Sequence, residues 1–254
     1  MAGEEKAVIR KKKRKKKKRK KKHYLLKFLL FAALCYGLYY FLTSDFFNIK
    51  AIQVSGNSHY TAEQVVGLSK IKKGGNLFET SMGDGEKSLL ADPYIKDASA
   101  GRRLPGTVVI SVKERVEYAA VPYGEEFILI DREAVVLRRV DRAPELPLLM
   151  GMTVKTIEPG QILEVEESNV LEETLDMLAA MEKSDLYFKK IDISNVVIKA
   201  YIYDNLICEG QPENILQGMD NLRKLVYELY KQGIERGVIK VGKDNYWAYS
   251  PLIE

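Results

Sequence analysis

Between Lys22 and Asp45 the chain carries one charge, Lys27, and from Phe28 to Ser44 it carries none. A stretch so uncharged belongs in a protein core or in lipid, and as a helix it rises about 25 Å, near the hydrocarbon thickness of a bilayer. Leu25 and Leu26 lengthen it on one side, Phe46 and Phe47 on the other. It shows no amphipathic pattern, and thirteen consecutive basic residues, Arg10 to Lys22, abut it. Both features argue for lipid over a buried core helix. Lys27 can snorkel back to the headgroups, and Tyr24, Tyr36, Tyr39 and Tyr40 suit an interfacial belt. After Leu42 the chain reads TSDFFNIK, without the small residues that a signal-cleavage site needs, and Leu34 before Cys35 is not small enough for a lipoprotein site. The expectation is an uncleaved transmembrane helix at 24–46.

The charge totals, 40 Lys/Arg against 35 Asp/Glu for a net +5, resemble those of a nucleic-acid binder. Their distribution does not. Residues 1–22 hold fourteen basic and two acidic residues, a net +12, which leaves 26 basic against 33 acidic in the remainder, a net −7. The run, with Arg10, Arg14, Arg19 and Lys22 and then Lys27, therefore reads as a topology and anionic-lipid signal at the end of a cytoplasmic tail (1–23). Nucleic acid is the less favoured partner for the tail, although polybasic charge alone does not distinguish the two phosphates. The positive-inside rule sends everything beyond about residue 45 across the membrane. Cys35 in the apolar segment and Cys208 in a strand pattern cannot pair, so no disulfide framework is expected.

The exported part begins with alternation. FNIKAIQVS places Phe47, Ile49 and Ala51, with Val54, in an extended run, and Gly56-Asn57 turns it. Thr61 and Gln64 have capping-box spacing, followed by a short helix with Val65, Val66 and Leu68 on its apolar side. A second helix is expected from about Met82 to Ala91, burying Leu89 and Leu90 and ending before Pro93. Two strands follow, KDASAGRR and GTVVISVKER; in the second, Val108, Ile110 and Val112 share a face. The predicted order over 47–116 is β-α-α-β-β.

The remainder, 117–254, reads as a mixed α/β domain with a mostly antiparallel sheet. FILID (127–131) is apolar on both faces, as in a strand covered from both sides. A helix over 168–183 aligns Leu171, Leu175, Leu178 and Met181. KKIDIS and VVIKAYIYDNLICEG give three strands with a tight turn at Asp204-Asn205. One amphipathic helix is predicted over 213–232, with Ile215, Met219, Leu222, Val226 and Leu229 at 3-4 spacing. GVIKV, a turn at Lys243-Asp244-Asn245, and YWAYS close the chain as a hairpin.

Taken together these motifs resemble the FtsQ/DivIB family of bacterial cell-division proteins, whose first exported domain is a POTRA domain. The resemblance is carried by the strand-plus-Gly-Asn opening, Pro93-Tyr94-Ile95, Arg103-Leu104-Pro105 and Val112-Lys113-Glu114-Arg115. FILID, LPLLMG (146–151), NLRKL and the terminal hairpin extend it over essentially the whole chain. The chain departs from the family at Glu117, where Pro is usual, and at Arg132–Val135, where Gly tends to follow the ID strand. The fold class implied is α+β, with one N-terminal transmembrane helix, a POTRA-like domain and a second mixed domain. The resemblance implies a non-enzymatic divisome scaffold in the bacterial cell membrane at the septum, N-terminus in the cytoplasm, which binds FtsB/DivIC and FtsL-like proteins.

The residues themselves offer little for catalysis. His23 and His59 have no second ligand at metal spacing, so neither metal nor cofactor is expected. GDGEKS (83–88) lacks the Gly before Lys of a phosphate loop and puts Glu86 there instead. Glu166-Glu167 and Glu172-Glu173 fall on predicted solvated helix faces. The alternative function is a membrane-anchored Ser-Lys peptidase, for which Ser69 and Lys72 have the spacing, although no Ser-Met-x-Pro segment follows the anchor and Ser81-Met82 continues as Gly83-Asp84. A POTRA-bearing chaperone or transport component is a third, weaker reading. Function is expected instead at the terminal hairpin, where Val241, Tyr246, Trp247 and Tyr249 are the candidate partner-binding residues. A last strand is often an edge strand open to a partner strand. The competing reading is that these rings pack on the helix over 213–232.

Overall fold

The computed structural model describes residues 23–243 and 246–252. Helix α1 (Tyr24–Leu42) has 19 residues and none of them is buried against the rest of the chain. It ends short of the expected residue 46. Asp45–Phe47 form a 3-10 turn, and Phe47 swings into the following domain, where only 6% of it is exposed. Phe46 and Phe47 therefore do not lengthen the helix. The cause is a residue far along the chain: the Asn76 side chain donates to the carbonyls of Leu42 (2.9 Å) and Ser44 (3.3 Å), satisfying acceptors the helix end leaves open.

The first domain comprises β1 (Ala51–Ser55), α2 (Ala62–Ser69), α3 (Met82–Leu90), β2 (Ile95–Arg103) and β3 (Thr107–Glu114), the predicted β-α-α-β-β. The sheet order is β1-β3-β2, with β1 parallel and β2 antiparallel to β3. The strand begins only at Ala51, because Asn48 pairs with Asn76 instead of extending β1. Thr61 and Gln64 form the reciprocal capping box. Val65, Leu89, Val108 and Ile110 are fully buried. Leu90, expected inside, is 47% exposed, since one helical step past Leu89 turns its side chain off the buried face. Gly56 turns the chain with φ +82 directly against the Val112 carbonyl, where a Cβ would collide.

The second domain is built on a nine-stranded mixed sheet. Its strands are β4 (Ala119–Tyr123), β5 (Glu126–Ile130), β6 (Val136–Val140), β7 (Leu148–Met150), β10 (Lys190–Asp192), β11 (Ile198–Tyr201), β12 (Asn205–Gly210), β13 (Arg236–Val241) and β14 (Trp247–Ser250). They run in the order β14-β13-β12-β11-β10-β7-β4-β5-β6, and β8 (Val154–Thr156) pairs with β9 (Glu164–Val165) apart from them. Antiparallel pairs predominate, with parallel pairing at β12–β13, β10–β7 and β7–β4. Ile128, Leu129 and Ile130 are all buried, as a strand covered on both faces requires. Helix α4 (Ser168–Ser184) buries the four residues aligned in the sequence.

The helix expected over 213–232 is two: α5 (Pro212–Gln217) and α6 (Met219–Lys231), broken at Gly218. All five apolar residues of the predicted stripe are still buried. The break follows from a neighbour 29 positions away. The Trp247 indole presses on Gly218 so closely that a Cβ there would lie 2.1 Å from a ring carbon.

Candidate functional site

Among the described residues, β14 ends the nine-stranded sheet and pairs only with β13, antiparallel, in the register Val241↔Trp247, Lys240↔Ala248, Ile239↔Tyr249 and Val238↔Ser250. The Gly242 N–H donates to the Tyr246 carbonyl at 2.9 Å, which closes the hairpin. Antiparallel main-chain groups alternate in direction, so Tyr246, Ala248 and Ser250 address β13. The N–H and C=O of Trp247 and Tyr249 then face away from the sheet, on its open edge.

The candidate side chains divide into two kinds. Val241 is 7% exposed and belongs to the domain core, so its side chain is not available to a partner. Trp247 and Tyr249 are half-buried and pack on the same core. Tyr249 lies over Gly237 and donates from its hydroxyl to the Arg236 carbonyl at 2.8 Å. Trp247 closes the α5–α6 break, and its indole Nε1 is buried with no hydrogen-bond partner among the described residues. Packing on the helical segment is thus correct for Trp247. Tyr246, at 65% exposure, is the ring that faces solvent. Beside the strand lies an open groove of about 1030 Å³, lined by Tyr203, Asn205, Ile234, Tyr249, Pro251 and Leu252 among others. Asp244 and Asn245 of the predicted turn, and Arg10, Arg14, Arg19 and Lys22 of the basic run, lie outside the described residues. Lys27 is in the first turn of α1, exposed.

Sequence reasoning did not find the junction between the two domains. There the Tyr94 hydroxyl donates to Glu117 Oε1 (2.6 Å), and Arg138 Nε donates to both Glu117 (2.8 Å) and the Tyr94 oxygen (2.9 Å). Alongside, the Arg115 guanidinium bridges Asp131 and Glu133, and Lys96 pairs with Glu133. Burial alone would raise the Glu117 carboxyl, but Arg138 and Tyr94 outweigh it and hold the group below its usual value. Burial, reinforced by the bond to Glu117, pushes the Tyr94 hydroxyl well up. The Asp131 carboxylate also accepts from the N–H groups of Glu133 (2.9 Å) and Val135 (2.8 Å), and Ala134 takes the left-handed conformation, φ 60, within that loop. The two departures from the family pattern, Glu117 and Arg132–Val135, were the signal: both lie in this clamp.

The peptidase alternative loses its geometry. Ser69 is buried, its hydroxyl donates to the Val66 carbonyl (2.7 Å) and accepts from Ile71 N–H (3.2 Å), while Lys72 is exposed. His59 stacks flat on Tyr94, ring centres 4.0 Å apart. Among the described residues no group of three His, Cys, Asp or Glu is placed to hold a metal ion.

Among the described residues, one helix long and apolar enough to cross a membrane, a three-stranded β-α-α-β-β unit docked at its end, and a large mixed sheet ending in β14 define a POTRA-bearing architecture. Comparison with known proteins agrees. The family model for the POTRA domain, FtsQ-type, matches residues 47–115. Cell division protein DivIB of Clostridium acetobutylicum is 30% identical over 175 residues, 67% of this chain and 70% of that protein. DivIB of Clostridium tetani is 26% identical over 203 residues, 77% of this chain and 76% of that protein. Cell division protein FtsQ of Syntrophotalea carbinolica is 28% identical over 131 residues, 51% and 46% of the two chains. The chain belongs to the FtsQ/DivIB family of cell-division proteins.

Proposed function

We propose that this chain is a non-catalytic scaffold of the division machinery, held in the cell membrane at the septum by α1 with its N-terminus in the cytoplasm. Its second domain docks other envelope division proteins, of the FtsB/DivIC and FtsL kind, along the outer edge of β14. The observation that carries the reading is the last strand itself. Trp247 and Tyr249 fix it to the core from one side, so its open backbone edge is pre-formed, with Tyr246 exposed beside it. Rigid edges lose little conformational freedom when a strand is added.

Removing Val238–Glu254 outright would also remove Ile239 and Val241 from the core, so point substitutions make the cleaner test. Tyr246→Ser with Ala248→Glu places a charge on the docking strand, opposite Lys240 of β13 so that the hairpin is not weakened by like charges. Capture of a purified FtsB/DivIC–FtsL complex by the full chain in detergent should fall at least about tenfold, roughly 1.4 kcal/mol of binding. Unchanged capture would sink the docking assignment.

A further inference from the structure

The end of the POTRA domain that meets α1 is built from three loops bonded to one another. Lys50 N–H donates to the Gly106 carbonyl (2.8 Å), Ile49 N–H to Gly75 (2.8 Å), Gly74 N–H to Ile49 (2.8 Å) and Leu77 N–H to Phe47 (2.9 Å). Asn76, 8% exposed, ties the same loops to the carbonyls of Leu42 and Ser44. Leu42 packs against the domain core, and Phe47 makes edge contacts with Phe41 (5.2 Å) and Phe78 (5.0 Å). The last turn of α1 and these loops therefore move as one piece. With α1 in a bilayer, they lie at its surface. β1 starts here and β3 runs parallel to it, so Glu114 and the second domain leave from the opposite end.

This end exposes an unusual set of side chains. Phe46 (55%), Phe78 (39%) and Leu104 (61%) stand out of the three loops. Single exposed apolar residues need no explanation. Three on loops bonded to the exit of an apolar helix do. Among them Lys50, Lys72, Lys73 and Arg103 are exposed, against Asp45, which accepts a bond from Asn48 (2.9 Å), and Glu79. The chain beyond residue 22 carries a net −7, so this excess of cations runs against its surroundings.

We propose that this end of the POTRA domain is an anionic-lipid-binding face. Phe46, Phe78 and Leu104 enter the interface of the leaflet from which α1 emerges, and Lys50, Lys72, Lys73 and Arg103 meet phospholipid headgroups. Amphipathic rings and long cationic stems are the side chains that tolerate the boundary between water and hydrocarbon. The contact sets the orientation of the POTRA domain on the membrane, and through it the height of the second domain. It requires only that α1 lies in a bilayer, whichever side the domains occupy.

Hydrogen exchange of the full chain reconstituted in phosphatidylcholine vesicles, with or without about a third phosphatidylglycerol, tests the face. Backbone amides in 72–78 and 103–107 should exchange at least about fivefold more slowly in the anionic vesicles, the difference disappearing near 0.5 M salt, where charges are screened within a few ångströms. Replacing Lys50, Lys72, Lys73 and Arg103 by Gln should abolish that difference, with protection of β3 unchanged as the check on folding. Replacing Phe46, Phe78 and Leu104 by Ser should remove protection in both vesicles. Equal exchange in neutral and anionic vesicles overturns the proposal, as does a lipid-dependent difference that survives the Gln substitutions. Flotation of the same samples reports on α1 separately, so a chain that floats without protection refutes the lipid face and leaves the anchor standing.

Discussion

At the scale of single residues, Gly218 and Trp247 determine how the second domain ends. The amphipathic stripe from Ile215 to Leu229 obeys helical spacing throughout, and nothing in it marks a break. Gly costs a helix only about 1 kcal/mol, so its presence at 218 was not decisive on its own. The decisive fact is tertiary: the indole of Trp247 occupies the space a Cβ would need. Gly218→Ala should cost about 1–3 kcal/mol, the usual penalty for overpacking a fitted site. In a Trp247→Ala background the same substitution should cost much less, because the ring it strikes is gone. Denaturant unfolding followed by far-ultraviolet circular dichroism, on all four members of the cycle, gives the coupling. Additive effects would mean that Gly218 serves the bend itself and not the ring. Tyr246 offers the contrast. It is exposed, and Tyr246→Ser should leave stability within about 0.5 kcal/mol of the parent while weakening capture of the partner.

At the scale of elements, the sequence was most legible where neighbours in the chain are neighbours in space. Val108, Ile110 and Val112 alternate because β3 alternates, and the Thr61–Gln64 box lies within one helical turn. The run from Phe47 keeps its predicted alternation, with Phe47 and Ile49 buried, but does not join β1, because two residues far along the chain intervene: Asn76 bridges Asn48 and captures the end of α1, and Phe78 receives Phe47. The domain junction was missed for the same reason: the departures at Glu117 and Arg132–Val135 mark positions but not their partners. Tyr94, Glu117 and Arg138, or Lys96, Arg115 and Glu133, carry no mutual spacing that a strand or helix period would reveal. Yet this clamp has a measurable signature. Burial would raise the Glu117 carboxyl, but hydrogen bonds from Arg138 and Tyr94 hold it below its usual value near 4.5, and Lys96 and Arg115 hold the Glu133 carboxyl below that value against a smaller effect of burial. Each is then less protonated in the fold than in the unfolded chain, so its contribution is fully present above pH 4.5 and is lost as pH falls through and below that value. Acid should therefore loosen the junction before it unfolds either core. Glu117→Gln should cost about 1 kcal/mol at neutral pH, the net worth of one such bond, and flatten part of the acid loss. Unfolding curves at pH 7 and pH 4 for parent and variant decide it, and identical acid slopes would remove Glu117 from the account.

At the scale of the whole molecule, charge and hydrophobicity are segregated along the chain, and the proposed topology rests on that segregation. Thirteen cations at Arg10–Lys22 precede an apolar helix, and a net-negative body follows. Moving the run across a bilayer would cost far more than moving the body, which contains no comparable block. The cations of the POTRA domain, Lys50, Lys72, Lys73 and Arg103, are fewer and follow the helix, so they do not reverse that bias. Replacing most of the run with Gln and Ser should therefore disturb insertion or orientation, read by protease accessibility of a tag after residue 254 in inverted and right-side-out vesicles. The same variant, once inserted correctly in vitro, should capture the division partners as well as the parent does, because β14 lies at the far end of the chain from the run. Normal orientation combined with lost association with chromosomal DNA would assign the run to nucleic acid instead. The two readings make opposite predictions for one variant because the forces differ in reach. Topology depends on total charge flanking α1, whereas the proposed docking rests on the local geometry of the last strand of the second domain.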